Sequence, residues 1–455
     1  MTTPSAERGQ WSSRVGFILA AAGSAIGLGN IWRFPYITGQ NGGAAFVVIY
    51  LLCVVLICLP YLLAELVLGR HTQKNPVGAI RLLRPGSPWI GVGVLCVLTG
   101  VGILSYYAVI AGWTFGYIFK NLLFAHLDFG HFVASPWIVV PLFAVFLGLT
   151  MWVVFGGVEQ GIERWSKVLM PLLVLLMAVL IVRSVTLPGA EKGLAFYLKP
   201  DFSKVTPGVV MAALGQAFFS LSLGMGAMIT YGSYLSRRED VVASGAYVAL
   251  FDTLVALMAG FMIFPAVFAT GHDPASGPRL VFVVLPEIFQ TLPLGGLLGA
   301  LFFLLLSIAA LTSTISLLEV VVAYFVDERR WSRKRSVWVV GVLTFLIGLP
   351  SALSQGTVEG LTRMDWLVGE EGFLGQHDFL SIMDALWGNL ALALGALLLS
   401  VFIGWVWGAE KAAQELQQGS QISPGLLRIW QVFIRYICPV VILIILVNVL
   451  RGYLG

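Results

Sequence analysis

The chain has 455 residues, 58% apolar and only 11% charged, with a mean hydropathy of +0.91. Soluble domains carry about 25% charged residues, so a soluble enzyme or binding module is excluded. The formal net charge of +4 is read as membrane topology and not as nucleic-acid binding.

Apolar runs such as Val47–Leu68, Gly91–Phe119, Leu169–Ile181, Leu297–Phe325 and Leu390–Trp407 are of the kind that crosses a bilayer. In lipid every backbone polar group must be paired internally, so such runs are helices, and the ten-residue alternation of a transmembrane barrel is missing. The predicted fold class is all-α integral membrane, with eleven transmembrane helices. They centre near Ala25, Leu56, Ile103, Ala144, Leu175, Leu221, Ala256, Ala309, Val342, Gly395 and Leu443. The first starts too late and holds too many glycines for a cleaved signal peptide. The longest loop runs from about Leu353 to Phe379, and no soluble domain is expected.

Of the 27 Lys and Arg, 18 fall in segments on the N-terminal side and 8 on the other, with Arg33 inside the first span. The positive-inside rule then places the N-terminus in the cytoplasm and, with eleven spans, the C-terminus outside. Cys53, Cys58, Cys96 and Cys438 all sit in apolar runs, so no structural disulfide or zinc site is expected. The five histidines, His71, His126, His131, His272 and His377, fall in expected loops. Neither a phosphate-binding Gly-x-x-x-x-Gly-Lys-Ser/Thr loop nor His-Glu-x-x-His occurs, so no ATP-driven pump or intramembrane metalloprotease is encoded here. Asn-x-Ser/Thr is also lacking, which fits a bacterial inner membrane.

The chemistry lies where helices are interrupted. The first span reads Ala22-Gly-Ser-Ala-Ile-Gly-Leu-Gly-Asn-Ile-Trp-Arg-Phe-Pro35. Glycine costs about 1 kcal/mol in a helix interior, and an arginine at membrane depth needs a cavity or a partner. The sixth span repeats the device in Phe218-Phe-Ser-Leu-Ser-Leu-Gly-Met-Gly-Ala227. Glycine-interrupted spans at matching places in two halves point to a secondary transporter. Close packing through small residues is the plain alternative for the glycines alone; Asn30 and Arg33 at this spacing weigh against it. Asp252, an acid inside the apolar stretch Tyr247–Phe264, is a functional candidate by its position.

Trp11-Ser-Ser-Arg14, Gly23-Ser-Ala-Ile-Gly-Leu-Gly-Asn-Ile-Trp-Arg-Phe-Pro35, Asn41-Gly-Gly43, Gly215-Gln-Ala-Phe-Phe-Ser-Leu-Ser-Leu-Gly-Met-Gly226 and Ala309-Ala-Leu-Thr-Ser-Thr314 resemble signatures of the neurotransmitter:sodium symporter family, and the resemblance covers nearly the whole chain. It implies one transporter domain over 1–455, with a first repeat near 12–187, an inverted second repeat near 207–407 and an extra helix near 428–454. Helices 1 and 6 would be broken, with the ligand site between the repeats.

The resemblance implies two sodium sites. The first would use Ala25, Asn30, Ser220 and Asp252, with the substrate carboxylate; the second, Gly23, Ile26, Ala309, Thr312 and Ser313. Sodium, a hard cation, wants such oxygens. Many relatives bind chloride beside a neutral residue where Asp252 stands, using Tyr50, Gln216, Ser220 and a hydroxyl one turn later. Here that last position is Ala256. Asp252 either supplies the charge itself, making chloride unnecessary, or is protonated and serves proton counter-transport. The implied substrate pocket is Ser24, Ala25, Leu28, Gly29, Ile103, Tyr107, Phe219, Ser220, Ser222, Met225, Ser313 and Leu317. Tyr107 and Phe219 would also form its lid. Amine-carrying relatives place an acid where this chain has Gly27. The substrate implied is therefore a neutral, hydrophobic L-amino acid carried inward with sodium by alternating access, an amine or related solute being the alternative. Implied gates are Arg33 with Asp384 on the outside and Arg8 with Asp327 on the inside, where Trp11 would plug the path. Glu65 would bond the unwound sixth helix, Glu319 would face Tyr234, and Gly161 with Pro171 would unwind the start of span 5. Expected partners are the amino acid, sodium and the bilayer, with no nucleic acid and a monomeric or weakly dimeric state.

Overall fold

A computed structural model of the protein describes residues 9–123, 128–275, 280–369, 372 and 375–454. Among these, nine helices are long and apolar enough to cross a membrane. They are Ala44–Thr72, Ile90–Leu123, Pro136–Phe155, Val158–Val185, Val241–Ala269, Gly295–Arg329, Arg333–Leu353, Phe379–Gln417 and Pro424–Arg451, termed spans 2–5 and 7–11 in chain order. A tenth crossing, span 1, is the pair Arg14–Ala25 and Gly29–Gln40, bent by 54°. Span 6 comprises Pro207–Ser220 and Ala227–Gly232. Its halves are too short to register as a crossing, but with it the total reaches eleven.

The two breaks have local causes. In span 1 the helix stops at Ala25, and a π-helical turn, Gly29–Arg33, runs directly into the helix Phe34–Gln40, which contains Pro35. In span 6 Ser222, Gly224 and Gly226 all take positive φ, at 53°, 86° and 77°. Gly224 is required sterically as well, since a Cβ there would lie 2.7 Å from Ala396 Cβ. Its freed N–H donates to Glu65 Oε1 at 2.7 Å. Glu65 is fully buried on span 2, so the acid satisfies a backbone group that the break would otherwise strand.

Spans 3 and 8 bury 78% and 83% of their most apolar windows, against 28% for span 11. They form the wall against which the broken spans lie, while span 11 is peripheral. The long loop after span 9 contains the short helices Glu359–Thr362 and Asp365–Val368. Span 5 departs from expectation. From Gly161 to Pro171 it stays helical, a π-helical stretch Val158–Glu163 leading into Arg164–Val185. His71 likewise lies in the last turn of span 2, not in a loop, with its ring 5.1 Å from that of Trp407 and tilted by 40°. His131 sits in the helix Phe129–Ala134, and His126 lies outside the described residues.

Candidate functional site

The breaks in spans 1 and 6 meet span 7 at Asp252. Asn30 Nδ2 donates to Asp252 Oδ1 at 2.7 Å, to Ser220 Oγ at 2.8 Å and to the Asp252 carbonyl at 3.1 Å. Ser220 Oγ donates to Asp252 Oδ2 at 2.8 Å, and Tyr50 Oη reaches Ser220 Oγ at 3.3 Å. Asn30, Ser220 and Asp252 are essentially inaccessible. Three oxygens therefore converge on one N–H₂ group, the same kind of oxygen set that a hard cation takes. Asn30 Oδ1 accepts from Gly27 N at 3.1 Å, and Gln216 Nε2 donates to the Gly29 carbonyl at 2.9 Å. Ala256, one turn past Asp252, is buried and offers no donor.

A second oxygen-rich contact lies between spans 1 and 8. Ser313 Oγ donates to the Ile26 carbonyl at 3.2 Å and to the Ser24 carbonyl at 3.4 Å. Thr312 Oγ1 donates to the Ala309 carbonyl at 3.0 Å. A Cβ on Gly23 would stand 3.3 Å from Thr312 Cβ. The residues expected at the second sodium thus adjoin, with span 1 ending its first half beside a pair of hydroxyls.

Between the two clusters lies a small cavity lined by Ser24, Ala25, Gly27, Gly29, Ile103, Tyr107, Phe219, Ser222, Met225, Ser313, Ser316, Leu317 and Leu392. Ten of the twelve pocket residues expected from sequence line it. The other two lie elsewhere. Ser220 turns its hydroxyl to Asp252, and Leu28 lines the vestibule above while its N–H donates to Tyr107 Oη at 2.9 Å. Gly27, Ser316 and Leu392 are additions that sequence reasoning missed. Gly27 had a signal, its place opposite the acid of amine carriers; Leu392 had none, being one leucine in an apolar span. A Cβ on Gly27 would come within 2.6 Å of Ser313 Oγ and 2.8 Å of Tyr107 Oη, so the space there belongs to backbone and hydroxyls. The Ser24 hydroxyl, also buried, has no hydrogen-bond partner among the described residues.

Above the cavity a vestibule of about 1140 Å³ is bounded by Arg33, Tyr36, Tyr106, Tyr107, Phe219, Gln376, Asp384 and Asn389, among others. Phe219 and Tyr107 line both spaces. The Arg33 guanidinium lies over the Phe219 ring at 4.4 Å. The expected pairing of Arg33 with Asp384 is not made. Among the described residues they form no ion pair, and Asp384 accepts from Tyr106 Oη at 2.8 Å and from Asn389 Nδ2 at 3.3 Å. Both line the vestibule.

The opposite face, where the chain enters span 1, is packed shut. Trp11 Nε1 donates to the Tyr231 carbonyl at 3.0 Å, and its ring meets Tyr231 edge-on at 5.2 Å. Tyr234 Oη donates to Glu319 Oε1 at 2.6 Å, and Arg333 forms a two-pronged ion pair with Glu319. Glu163, at the start of span 5, accepts from Ser12 N at 2.7 Å, Ser12 Oγ at 2.6 Å, Ser13 Oγ at 2.9 Å and Lys167 Nζ at 2.7 Å. Sequence reasoning missed both Glu163 and Arg333, although an acid two residues after Gly161 at the mouth of an apolar span was a readable signal. Asp327 accepts from the Asn75 backbone and side-chain amides, both at 3.1 Å. Arg8 lies outside the described residues.

Known proteins share this architecture. The model of the sodium:neurotransmitter symporter family matches residues 8–140 and 131–454. An uncharacterized sodium-dependent transporter of Bacillus subtilis, YhdH, is 39% identical over 450 residues, 97% of each chain. The sodium-dependent serotonin transporter of Drosophila melanogaster is 29% identical over 98% of this chain and 77% of its own. The crystal structure of MhsT in complex with L-phenylalanine superposes with a TM-score of 0.86 at 45% identity, covering 97% of this chain and all of that one. With matches spanning the whole chain and both broken helices in place, the protein belongs to the sodium:neurotransmitter symporter family.

Proposed function

We propose that this protein imports neutral L-amino acids with apolar side chains, driven by sodium, through alternating opening of the vestibule face and the Trp11 face. The carrying observation is the chemistry of the central cavity. Its lining offers backbone, hydroxyls and apolar side chains, with no carboxylate or cation. A ligand amine finds no acid at Gly27, so the ligand must bring its own carboxylate. That carboxylate would sit at the span 1 break between Tyr107 Oη and the Leu28–Gly29 amides, and the ammonium against the carbonyls of Phe219 and Ser220. The side chain would lie among Ile103, Ser222, Met225 and Leu317. The complex of MhsT with L-phenylalanine supports this reading.

In this scheme the first sodium lies among the Ala25 carbonyl, Asn30, Ser220, Asp252 and the substrate carboxylate. The second takes the carbonyls of Gly23, Ile26 and Ala309 with the hydroxyls of Thr312 and Ser313. Asp252 provides the compensating negative charge, and Ala256 withholds the hydroxyl that chloride would need. The Trp11 face is cytoplasmic and the C-terminus external, in a bacterial inner membrane. The halves near 12–187 and 207–407 act as inverted repeats, and the unit is a monomer or weak dimer.

Two sodium ions and a zwitterion move two charges, worth about 4.6 kcal/mol at 100 mV, more than three decades of concentration ratio. In proteoliposomes, replacing external sodium by potassium should abolish concentrative uptake of radiolabelled phenylalanine and leucine; full uptake in potassium would overturn the proposal. Gluconate in place of chloride should change nothing. Asp252→Asn should weaken sodium affinity, and adding Ala256→Ser should restore uptake only with chloride. Chloride-dependent uptake by the unmodified protein would refute the role given to Asp252.

A further inference from the structure

The central cavity has a neighbour. A second, small space lies between spans 6, 10 and 11, walled on its far side by Ile442, Ile445 and Val449. Two residues line both spaces, Phe219 and Leu392. Phe219 is committed elsewhere, lying under Arg33 and bounding the vestibule. Leu392 makes no such polar contact and is otherwise part of the apolar core. It opens the helix Leu392–Val401 directly after the π-helical segment Asp384–Ala391. The extra residue of a π-turn rotates the helix beyond it, and such turns cluster at functional sites. The Leu392 backbone is pinned, its carbonyl lying 2.8 Å from where a Cβ on Gly224 would be, so the adjustable part of this partition is the side chain. The polar groups of the second space, Arg33 and Asn389, belong to its vestibule end, and the rest of its lining is apolar.

We propose that Leu392 is a specificity-determining residue that limits the length of the substrate side chain, and that the space behind it is a latent subsite for long apolar side chains. This rests on the reading of the central cavity as an amino-acid site. A side chain directed away from the span 1 break meets Leu392 after the reach of leucine or phenylalanine. Trimming Leu392 joins the two spaces without touching the carboxylate, ammonium or sodium ligands. Enlarging it shortens the pocket.

The test is competition of alanine, leucine and 2-aminooctanoic acid against radiolabelled leucine uptake in sodium. Each methylene seated in apolar surroundings is worth about fourfold in affinity. In Leu392→Ala, 2-aminooctanoic acid should therefore gain roughly fifteenfold relative to leucine through its two further carbons, with alanine unchanged. Leu392→Phe should penalise leucine and 2-aminooctanoic acid and spare alanine. Alanine uptake reports folding in each case; if Leu392→Ala fails to reach the membrane, Leu392→Val should shift the ratio in the same direction by about fourfold. Leucine transport with an unchanged ratio in these variants overturns the role of Leu392 alone. Failure of the unmodified protein to take up any amino acid overturns the underlying reading and this inference with it.

Discussion

On the face that carries Trp11, Glu319 is fully buried and bonded to both Tyr234 and Arg333. On the vestibule face Arg33 and Asp384 look into one space of about 1140 Å³ without forming an ion pair. Both faces use the same vocabulary of an arginine, an acid and tyrosines. What differs is desolvation. A pair in water is worth about 0–1 kcal/mol, so under the proposed scheme the vestibule could close and reopen with little change in energy. A buried pair that loses one member leaves an uncompensated charge, at about 3–5 kcal/mol. Something must therefore compensate before the Trp11 face opens. The scheme assigns that work to the sodium and substrate sites, which share spans 1, 6 and 8 with the seal.

The largest effect should come from breaking the sealed side. Glu319→Gln removes one member of the buried pair and weakens the hold on Tyr234 and, through span 6, on Trp11. Concentrative uptake should fall close to background, and amide hydrogen exchange in Ala227–Tyr234 should rise. Adding Arg333→Met, which removes the stranded cation, should recover part of the lost protection. Unchanged exchange in Glu319→Gln would mean that Trp11 and Glu163 hold this face without the ion pair.

A smaller effect is expected from the vestibule. Asp384→Asn removes the acid that Arg33 would meet on closure, yet Asp384 is solvent-accessible and unpaired with Arg33. Thermal stability should change by less than about 1 kcal/mol, and equilibrium binding of leucine should persist. Uptake should slow several-fold, because closure loses its ion pair. If binding and uptake fall together, Asp384 holds the site itself and is no gate.

Much of the architecture was legible in the sequence, the asymmetry of the two faces was not, and the limits are physical. The membrane spans follow from hydropathy, since an apolar run has one way to satisfy its backbone in lipid. The breaks follow from Gly224 and Gly226 and from the Gly27–Asn30 run, where helix propensity and membrane depth conflict. Pairing at a gate depends on which state the molecule occupies, and composition carries no record of state. Hence Arg33 and Asp384 were identifiable as types while their separation was not. The clamp of Glu163 on Ser12 and Ser13 joins residues 150 apart or more, so Glu163 stands out locally as an acid while its serine partners do not. The retained helix of span 5 shows the converse. Gly161 and Pro171 favour unwinding, but a π-helical stretch absorbs the misfit, and the Glu163 bonds hold it.

The smallest effect on either face should come from the pocket between them. Met225 lines the central cavity but not the vestibule. It belongs to the irregular segment between the halves of span 6, flanked by two positive-φ glycines. Methionine is unbranched and deformable, so it tolerates side chains of several sizes, whereas a phenylalanine ring is not compressible. Met225→Phe should thus narrow the pocket without altering Glu319, Trp11, Arg33 or Asp384. Overpacking costs about 1–3 kcal/mol, so tryptophan should weaken roughly fivefold to more than a hundredfold, while alanine and glycine are nearly unaffected. Amide exchange at Ala227–Tyr234 should stay at the unmodified level. Equal loss for every amino acid, or raised exchange on the Trp11 face, would place Met225 in the packing of the seal and remove it from the pocket.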